Sequence, residues 1–305
     1  MKLDKKRYIA AVSGGPDSMA LLDKYQDSIV GVCHVNYHKR EDSSLDQLLV
    51  SIYCIEHDIP LAVYEVDKKI YAKANQHNFQ ALARTIRYEF FVRCSKKFKC
   101  SNLLIAHNLN DFLETATMQE NRRSNNFFYG IKKENTYKNL KISRPLINIF
   151  KDDLLAYCEK HDIGYAIDSS NASDIYERNR IRKQLAKLSR KQLLALKKKY
   201  DKRNKKMAKS YTKVNKALAN WSKAKYSLDY FNKFKLSSLE LDSLIYLYLK
   251  INKINKINHN KIKLVRDYIV SKKSNEGLRL ENNVYLVKTN KLLKLTKQVN
   301  NRKKY

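Results

Sequence analysis

The run Ala11-Val12-Ser13-Gly14-Gly15-Pro16-Asp17-Ser18 joins a short apolar stretch, Tyr8 to Val12, to a helical pattern at Met19, Ala20, Leu21 and Leu22. A strand that empties through a Gly-Gly turn into a helix start makes an anion site. The glycines let backbone approach a ligand, and the first helical turn presents unpaired N–H groups. Ser13 and Ser18 add hydroxyls, and Asp17 is placed to hold a divalent cation beside phosphates. The Gly-Lys-Ser/Thr ending of a Walker loop is absent.

Three further segments carry candidate chemistry. His34-Val35-Asn36-Tyr37-His38 closes a second strand, where a doubly wound sheet would receive an adenine or ribose. Arg84 and Arg87 lie three apart on a helical stretch and so share a face. They suit a triphosphate, or equally form a solvated basic face paired with Glu89. His107 ends a fourth strand, with Asp111 and Glu114 in the helix that follows. Two carboxylates on one helical face can hold a metal or a cationic amine, and the helix dipole alone also favours them there.

The elements that must position these groups are legible from periodicity. Strand-like runs at Tyr8–Val12, Ile29–Val35, Leu61–Val66 and Leu103–Ala106 alternate with helix-like runs at Asp17–Tyr25, Ser44–His57, Phe79–Phe98, Leu109–Gln119 and Asp152–Lys160. That alternation predicts a doubly wound, Rossmann-like α/β domain with a mainly parallel five-stranded sheet, ligands binding at the strands' carboxyl ends. Glu120–Lys141, rich in Asn, Lys and Arg, reads as a mobile loop at the active-site edge. Between Gly164 and Gly277 there is neither glycine nor proline, which predicts a mostly helical second domain. Long helices are expected over Arg178–Lys199 and Lys205–Lys225, with Leu185, Leu188, Leu193, Leu194 and Leu196 buried. Shorter ones are expected over Ser237–Ile251 and His259–Ser271, then two or three short strands in Gly277–Leu295. The boundary is placed so that residues 1–183 form the first domain and residues 184–305 the second.

Charge is distributed unevenly between these halves. Residues 1–168 hold 25 Lys and Arg against 21 Asp and Glu, whereas residues 169–305 hold 37 against 9. A nearly neutral domain followed by a polycation points to a polyanionic partner, most simply nucleic acid. Nucleotide bias in the source genome could inflate lysine, but it does not account for acidic residues being scarce only in the second half. No apolar run approaches the roughly 18–20 residues of a membrane span. The charged start lacks a following leader-type apolar region, and the five cysteines are scattered without a C-x-x-C pair. These features predict a cytoplasmic protein with reduced thiols and no membrane association.

The first loop resembles the Ser-Gly-Gly-x-Asp-Ser loop of the PP-loop ATP pyrophosphatases. The ordered set of segments resembles one branch of them, the tRNA(Ile)-lysidine synthases. That set comprises Ser13–Ser18; His34-Val35-Asn36 with Arg40; Ala83-Arg84-x-x-Arg87-Tyr88; Ala106-His107 with Asp111 and Glu114-Thr115; Arg144-Pro145-Leu146; Asp168-Ser169-Ser170-Asn171; and Arg178-Asn179-x-x-Arg182. It covers roughly residues 7–183. The resemblance implies a ligase that forms a C–N bond. ATP adenylates the C2 oxygen of the wobble cytidine of an isoleucine tRNA with a CAU anticodon, and an amine of free L-lysine then displaces AMP.

The implied nucleotide contacts are Ser13, Gly14, Gly15, Pro16, Asp17, Ser18, His34 and Arg87, with Mg2+ near Asp17 and Asp111. The implied catalytic set is Asp17, Arg84, His107, Asp111 and Glu114, the last two at lysine. Arg178, Asn179, Arg182 and Lys183 are the implied tRNA contacts, and assembly as a homodimer is one option. Departures from the family pattern are Asn110 where an aspartate is expected, Asn108 after His107, Gln80 in place of a glutamate, and a glycine-poor Arg122–Ile131. Two other readings stand beside the ligase. A tRNA thiolase of the same superfamily would need a cysteine pair, and none is spaced for it. A non-catalytic RNA-binding relative would have no need of the intact Ser13–Ser18 loop.

Overall fold

The structure is a computed structural model, and it describes residues 6–38, 43–71, 76–122, 127–166, 177–255, 257–271 and 276–297. The chain divides into two compact units, Met1–Met118 with Gly130–Leu196, and Gln119–Tyr129 with Lys197–Tyr305. Arg40 and Asp168–Asn171, named above for the resemblance, lie outside the described residues.

In chain order the elements are β1 (Tyr8–Ala11), α1 (Pro16–Lys24), β2 (Ile29–Asn36), α2 (Ser43–Glu56), β3 (Leu61–Glu65), α3 (Lys68–Tyr71), α4 (Gln76–Lys97), β4 (Asn102–Ile105) and α5 (Leu109–Asn121). Then come β5 (Glu134–Tyr137), β6 (Leu140–Ser143), α6 (Lys151–Lys160), α7 (Glu177–Ala186) and α8 (Arg190–Lys223). The strands of this unit form one sheet in the order β3-β2-β1-β4-β6-β5, parallel except for β5. Period-two alternation splits the core across its faces. Tyr8, Ala10 and Val12 point into a cluster with α1, α2 and α6, whereas Ile9 points into one with Tyr88, Phe91 and Cys94 of α4. The doubly wound α/β architecture is thus as expected, with six strands rather than five.

The sixth strand comes from the stretch read as a loop. Within Glu120–Lys141, residues 134–137 pair antiparallel with 140–143 through the two-residue turn Lys138-Asn139, Lys138 at φ 50°. The polar strand Glu134-Asn-Thr-Tyr hides this pattern, because only Leu140 and Ile142 of the partner strand are buried. Gly130, at φ +82°, is required: a Cβ there would lie 2.5 Å from the Phe112 ring.

The helix boundary expected near residues 199–205 also moves. The break falls at Lys187–Ser189, where Ser189 and Gln192 exchange hydrogen bonds, backbone to side chain in each direction (2.8 and 3.3 Å). The helix then runs unbroken through Tyr200 and Asn204, both buried. Leu193 is buried as expected, but Leu185, Leu188 and Leu196 are only partly buried and Leu194 is exposed.

In the second unit, α8 is followed by α9 (Leu228–Phe231), α10 (Ser238–Ile251), α11 (His259–Val270) and an antiparallel sheet of β7 (Leu278–Glu281), β8 (Val284–Thr289) and β9 (Leu292–Thr296). Its core surrounds Trp221, against which Tyr226, Phe231, Phe234 and Tyr248 pack. Ser237 and Glu240 form a capping box at the start of α10, and Asn258 caps α11. The Gln119–Tyr129 segment is held within this unit by Glu120, which pairs with Lys199, Tyr200 and Arg203. Exposed Lys198, Lys202, Lys205, Lys209 and Lys216 recur on α8 at helical spacing, with no ion pair among the described residues. No helix among the described residues is long and apolar enough to cross a membrane.

Candidate active site

Because the chain leaves β1 toward β2 and β3 and then returns to β4 on the other side of β1, the strand order reverses between β1 and β4. The crevice beyond the carboxyl ends of two such strands is where this architecture binds ligands. A cavity of about 710 Å3 opens there. Ser13, Gly15, Pro16, Asp17, Ser18, His34, Arg84, Arg87 and His107 of the expected site line it, joined by Asp46, Tyr88 and Lys151.

The loop is pre-formed by its own residues. Ser18 Oγ donates to the Gly15 carbonyl at 2.8 Å and accepts from the Ser13 backbone N–H at 3.1 Å. Gly14 sits at φ +90°, and a Cβ on it would lie 2.9 Å from the Asp46 carbonyl oxygen, so only glycine fits. Gly15 is the N-cap of α1 with no side-chain cap, and Pro16 follows it in the first turn. Pro16 carries no N–H, and the Ser18 and Met19 N–H groups both bond the Gly15 carbonyl at 3.0 Å, so the Asp17 N–H is the one that the first turn of α1 leaves to a ligand among the described residues.

Asp17 reaches across to β4's end. Its Oδ2 accepts from Asn108 Nδ2 at 3.1 Å, while its Oδ1 is buried with no partner. Burial, followed by the Asp111 carboxylate, pushes Asp17 up to about 6. Asn108 and Asp111 bond reciprocally at the start of α5, Asn108 N–H to Asp111 Oδ2 at 3.1 Å and Asp111 N–H to Asn108 Oδ1 at 3.0 Å. The departures at Asn108 and Asn110 are therefore structural joints: Asn110 Oδ1 also accepts from the Lys151 N–H at 3.1 Å. Burial raises Asp111 too.

A divalent cation fits Asp17, which offers a buried, unpartnered oxygen, whereas both Asp111 oxygens are held in this structure, Oδ1 by Arg178 and Oδ2 by the Asn108 N–H. No group of three or more His, Cys, Asp and Glu among the described residues could hold the metal alone.

Asp111 and Glu114 share a face of α5 as expected, but neither lines the cavity. Glu114 is buried and clamped: Arg178 Nε reaches Oε2 at 2.6 Å and Arg182 Nε reaches Oε1 at 2.9 Å. Arg178 Nη2 also pairs with Asp111 Oδ1 at 2.8 Å. Two of the arginines expected at tRNA thus hold the two carboxylates expected at lysine. Asn179 and Lys183 lie on the same helix, α7, away from the cavity lining.

Arg84 stacks on Tyr88 with 4.7 Å between guanidinium and ring, and donates to its hydroxyl at 3.3 Å. Arg87 makes no hydrogen bond or ion pair among the described residues, and the same holds for the Lys151 ammonium. Lys151 carries no local motif of its own; it follows the Arg144-Pro145-Leu146 segment at the start of α6. All five cysteines are free and buried. The Cys94 neighbour and burial push the Cys33 thiol well up.

Comparison with known proteins agrees with this geometry. The PP-loop domain family matches residues 1–189. A tRNA(Ile)-lysidine synthase of Ureaplasma parvum is 40% identical over 287 residues, covering 93% of this chain and 86% of the relative. One from Malacoplasma penetrans is 39% identical over 295 residues, covering 95% and 98%. Among solved structures, a U34-tRNA thiolase of Methanococcus maripaludis shares the fold at TM-score 0.53 and 19% identity, covering 66% of this chain and 72% of that one. A pre-formed PP loop at the sheet's switch point, together with relatives matched across both units, places the chain in the tRNA(Ile)-lysidine synthase family.

Proposed function

We propose that this protein ligates lysine to C2 of the wobble cytidine of tRNA(Ile) with a CAU anticodon. ATP first adenylates the C2 oxygen with loss of pyrophosphate. An amine of free L-lysine then displaces AMP to give lysidine. The observation that carries the reading is the loop cavity, where Asp17 has one buried, unpartnered carboxylate oxygen and a backbone N–H at the start of α1 without a partner among the described residues.

Each residue's part follows from its surroundings. The Ser13–Ser18 loop and the N-terminus of α1 hold the pyrophosphate, so that AMP stays on the tRNA oxygen. Arg84, kept in place by Tyr88, and Arg87 and Lys151, without a hydrogen bond or ion pair among the described residues, neutralise charge as the phosphates separate. Asp17 and Asp111 would hold Mg2+, which supplies charge neutralisation at the phosphates when bound. Asp111 and Glu114 seat the lysine ammonium group, which competes for them with Arg178 and Arg182. Arrival of tRNA phosphates at α7 would draw those guanidiniums away and open the acidic pair. The second unit, residues 184–305 in the sequence division, binds tRNA through its lysines, and the reaction takes place in the cytoplasm.

The thiolase alternative is disfavoured because all five cysteines are buried and no group of three or more His, Cys, Asp and Glu among the described residues could hold a metal cluster. The test is incubation with ATP, Mg2+, radiolabelled lysine and CAU-anticodon tRNA(Ile). Label is expected in RNA only when ATP and the wobble cytidine are both present. Pyrophosphate release without label would point to another nucleophile.

A further inference from the structure

Two histidines line the loop cavity, and the partner of one ring nitrogen settles the tautomer of each. His34 Nδ1 lies 3.0 Å from the Val12 carbonyl oxygen, which has no proton to give, so Nδ1 carries the proton. His34 Nε2 is then a bare acceptor, and it is buried without a partner among the described residues. His107 is the reverse. Its Nδ1 lies 3.0 Å from Arg144 Nε, and a guanidinium can only donate, so Nδ1 accepts and Nε2 bears the proton.

Both settings are rigid. Arg144 is 3% exposed, and its Nη1 donates to the Lys132 carbonyl at 2.9 Å and Asn135 Oδ1 at 2.6 Å. It therefore cannot turn to give His107 another partner. Burial, and then Arg144, Arg178, Arg87 and Arg84, push His107 down to about 3. Burial also lowers His34, against the Val12 bond and the Asp46 carboxylate, which both favour its charged form.

We infer that the cavity is read by two neutral histidines in opposite tautomers, His34 accepting an N–H or O–H of the nucleoside and His107 donating its Nε2–H to an oxygen that gains charge in adenylation. Arg144 is the positioning residue that sets the His107 tautomer. His107 consequently has no free lone pair: Nδ1 is engaged by Arg144 and Nε2 is occupied. It does not take the proton that the lysine ammonium group loses, and its catalytic contribution is that of a fixed donor of the oxyanion-hole kind. The identity of the ligand rests on the ligase reading, whereas the two tautomers rest on the geometry alone.

The experiment is two-bond 1H–15N correlation of 15N-histidine-labelled full-length protein, with signals assigned by His34→Gln and His107→Gln. The expected spectrum has His34 protonated at Nδ1 and His107 at Nε2, with His107 neutral down to pH 5, and ATP addition moves the His34 Nε2 signal without protonating it. Either ring in the other tautomer, or His107 gaining charge between pH 5 and 7, overturns the inference and leaves the ligase reading standing. Arg144→Met removes the donor at similar volume, and should let His107 sample both neutral tautomers instead of Nε2–H alone. Unchanged His107 signals in that variant would remove Arg144 from the account.

Pyrophosphate release with ATP, Mg2+ and tRNA, without lysine, gives the kinetic counterpart. His107→Ala should be slower by roughly 100-fold. His107→Gln, whose amide N–H can stand in for Nε2–H, should regain about tenfold of that loss. A Gln variant as slow as the Ala variant would contradict the donor role. If the wild-type protein gives no pyrophosphate at all, the ligase reading fails, and the spectrum still decides the tautomers.

Discussion

The loop cavity and the arginine-clamped acidic cluster belong to the same unit and use the same residue types, but their groups are satisfied to opposite degrees. Around the loop, Asp17 Oδ1 and His34 Nε2 are buried without partners among the described residues, and Arg87 and Lys151 have cationic heads with no hydrogen bond or ion pair there. Around Glu114, both carboxylate oxygens are occupied by Arg178 and Arg182, and Asp111 shares Arg178. Unsatisfied buried groups cost folding free energy and are kept where a ligand will complete them. Saturated groups stabilise the free protein and must be released before they can serve a substrate. The first region is thus prepared for ATP, and the second is closed until something competes for its arginines.

Removing the charge at each region should sharpen this contrast, starting with the largest effect. Asp17→Asn is expected to lower lysidine formation by roughly 1,000-fold through lost metal and phosphate stabilisation, with tRNA binding kept. The same change should raise stability. Asp17 titrates at about 6 in the fold against 3.8 in its absence, so the folded state binds the extra proton between those values. Stability therefore falls as pH rises through that window, and the ionised carboxylate costs the fold above it. In metal-free buffer, Asp17→Asn should be more stable by about 1–3 kcal/mol at pH 7, and the gain should fade toward pH 4. Denaturant midpoints at the two pH values measure it.

Glu114→Gln should do the reverse. Two guanidiniums lose their counter-charge, and stability should drop by about 1–3 kcal/mol, the lower part of the range because both arginines are roughly 40% exposed. Lysine incorporation should fall about 100-fold while pyrophosphate release stays within about tenfold. Equal loss of both steps would dissolve the distinction between the regions. A finer test compares Arg87→Ala with Arg182→Ala. The unpartnered Arg87 should affect mainly the KM for ATP, by about tenfold, with stability unchanged. Arg182→Ala should cost about 1 kcal/mol of stability.

The smallest effect is expected on α8. Lys202→Ala with Lys205→Ala should weaken tRNA binding about two- to fivefold at low salt. The salt slope should become shallower by about 0.9 for each phosphate that is no longer neutralised. An unchanged slope would take this lysine row out of the interface.

What could be read without the structure was whatever is local. The apolar run at Tyr8–Val12, the positive-φ glycine at Gly14 and the helix start at Pro16 are consecutive, so loop and fold followed together. That the stretch free of Gly and Pro is mostly helical was equally plain. The β5–β6 hairpin was hidden because half of its residues are polar and solvent-facing, and its turn contains no glycine. The continuity of α8 was hidden because Tyr200 and Asn204, which bury its middle, sit among lysines. The Glu114 clamp was beyond local pattern altogether: Arg178 and Arg182 meet it across 64 and 68 residues of chain. Their charges suggested a polyanion, and only the fold shows that a carboxylate already holds them.

The central claim is that the loop cavity performs adenylation as a step separable from lysine transfer. Incubating the protein with α-32P-ATP, Mg2+ and CAU-anticodon tRNA(Ile), but no lysine, tests it directly. Label should enter the tRNA with one pyrophosphate released per label, should be chased out as AMP when lysine is added, and should be absent with Asp17→Asn. Lysine-free reactions that leave the tRNA unlabelled, or an Asp17→Asn protein that labels it at the wild-type rate, would contradict the account.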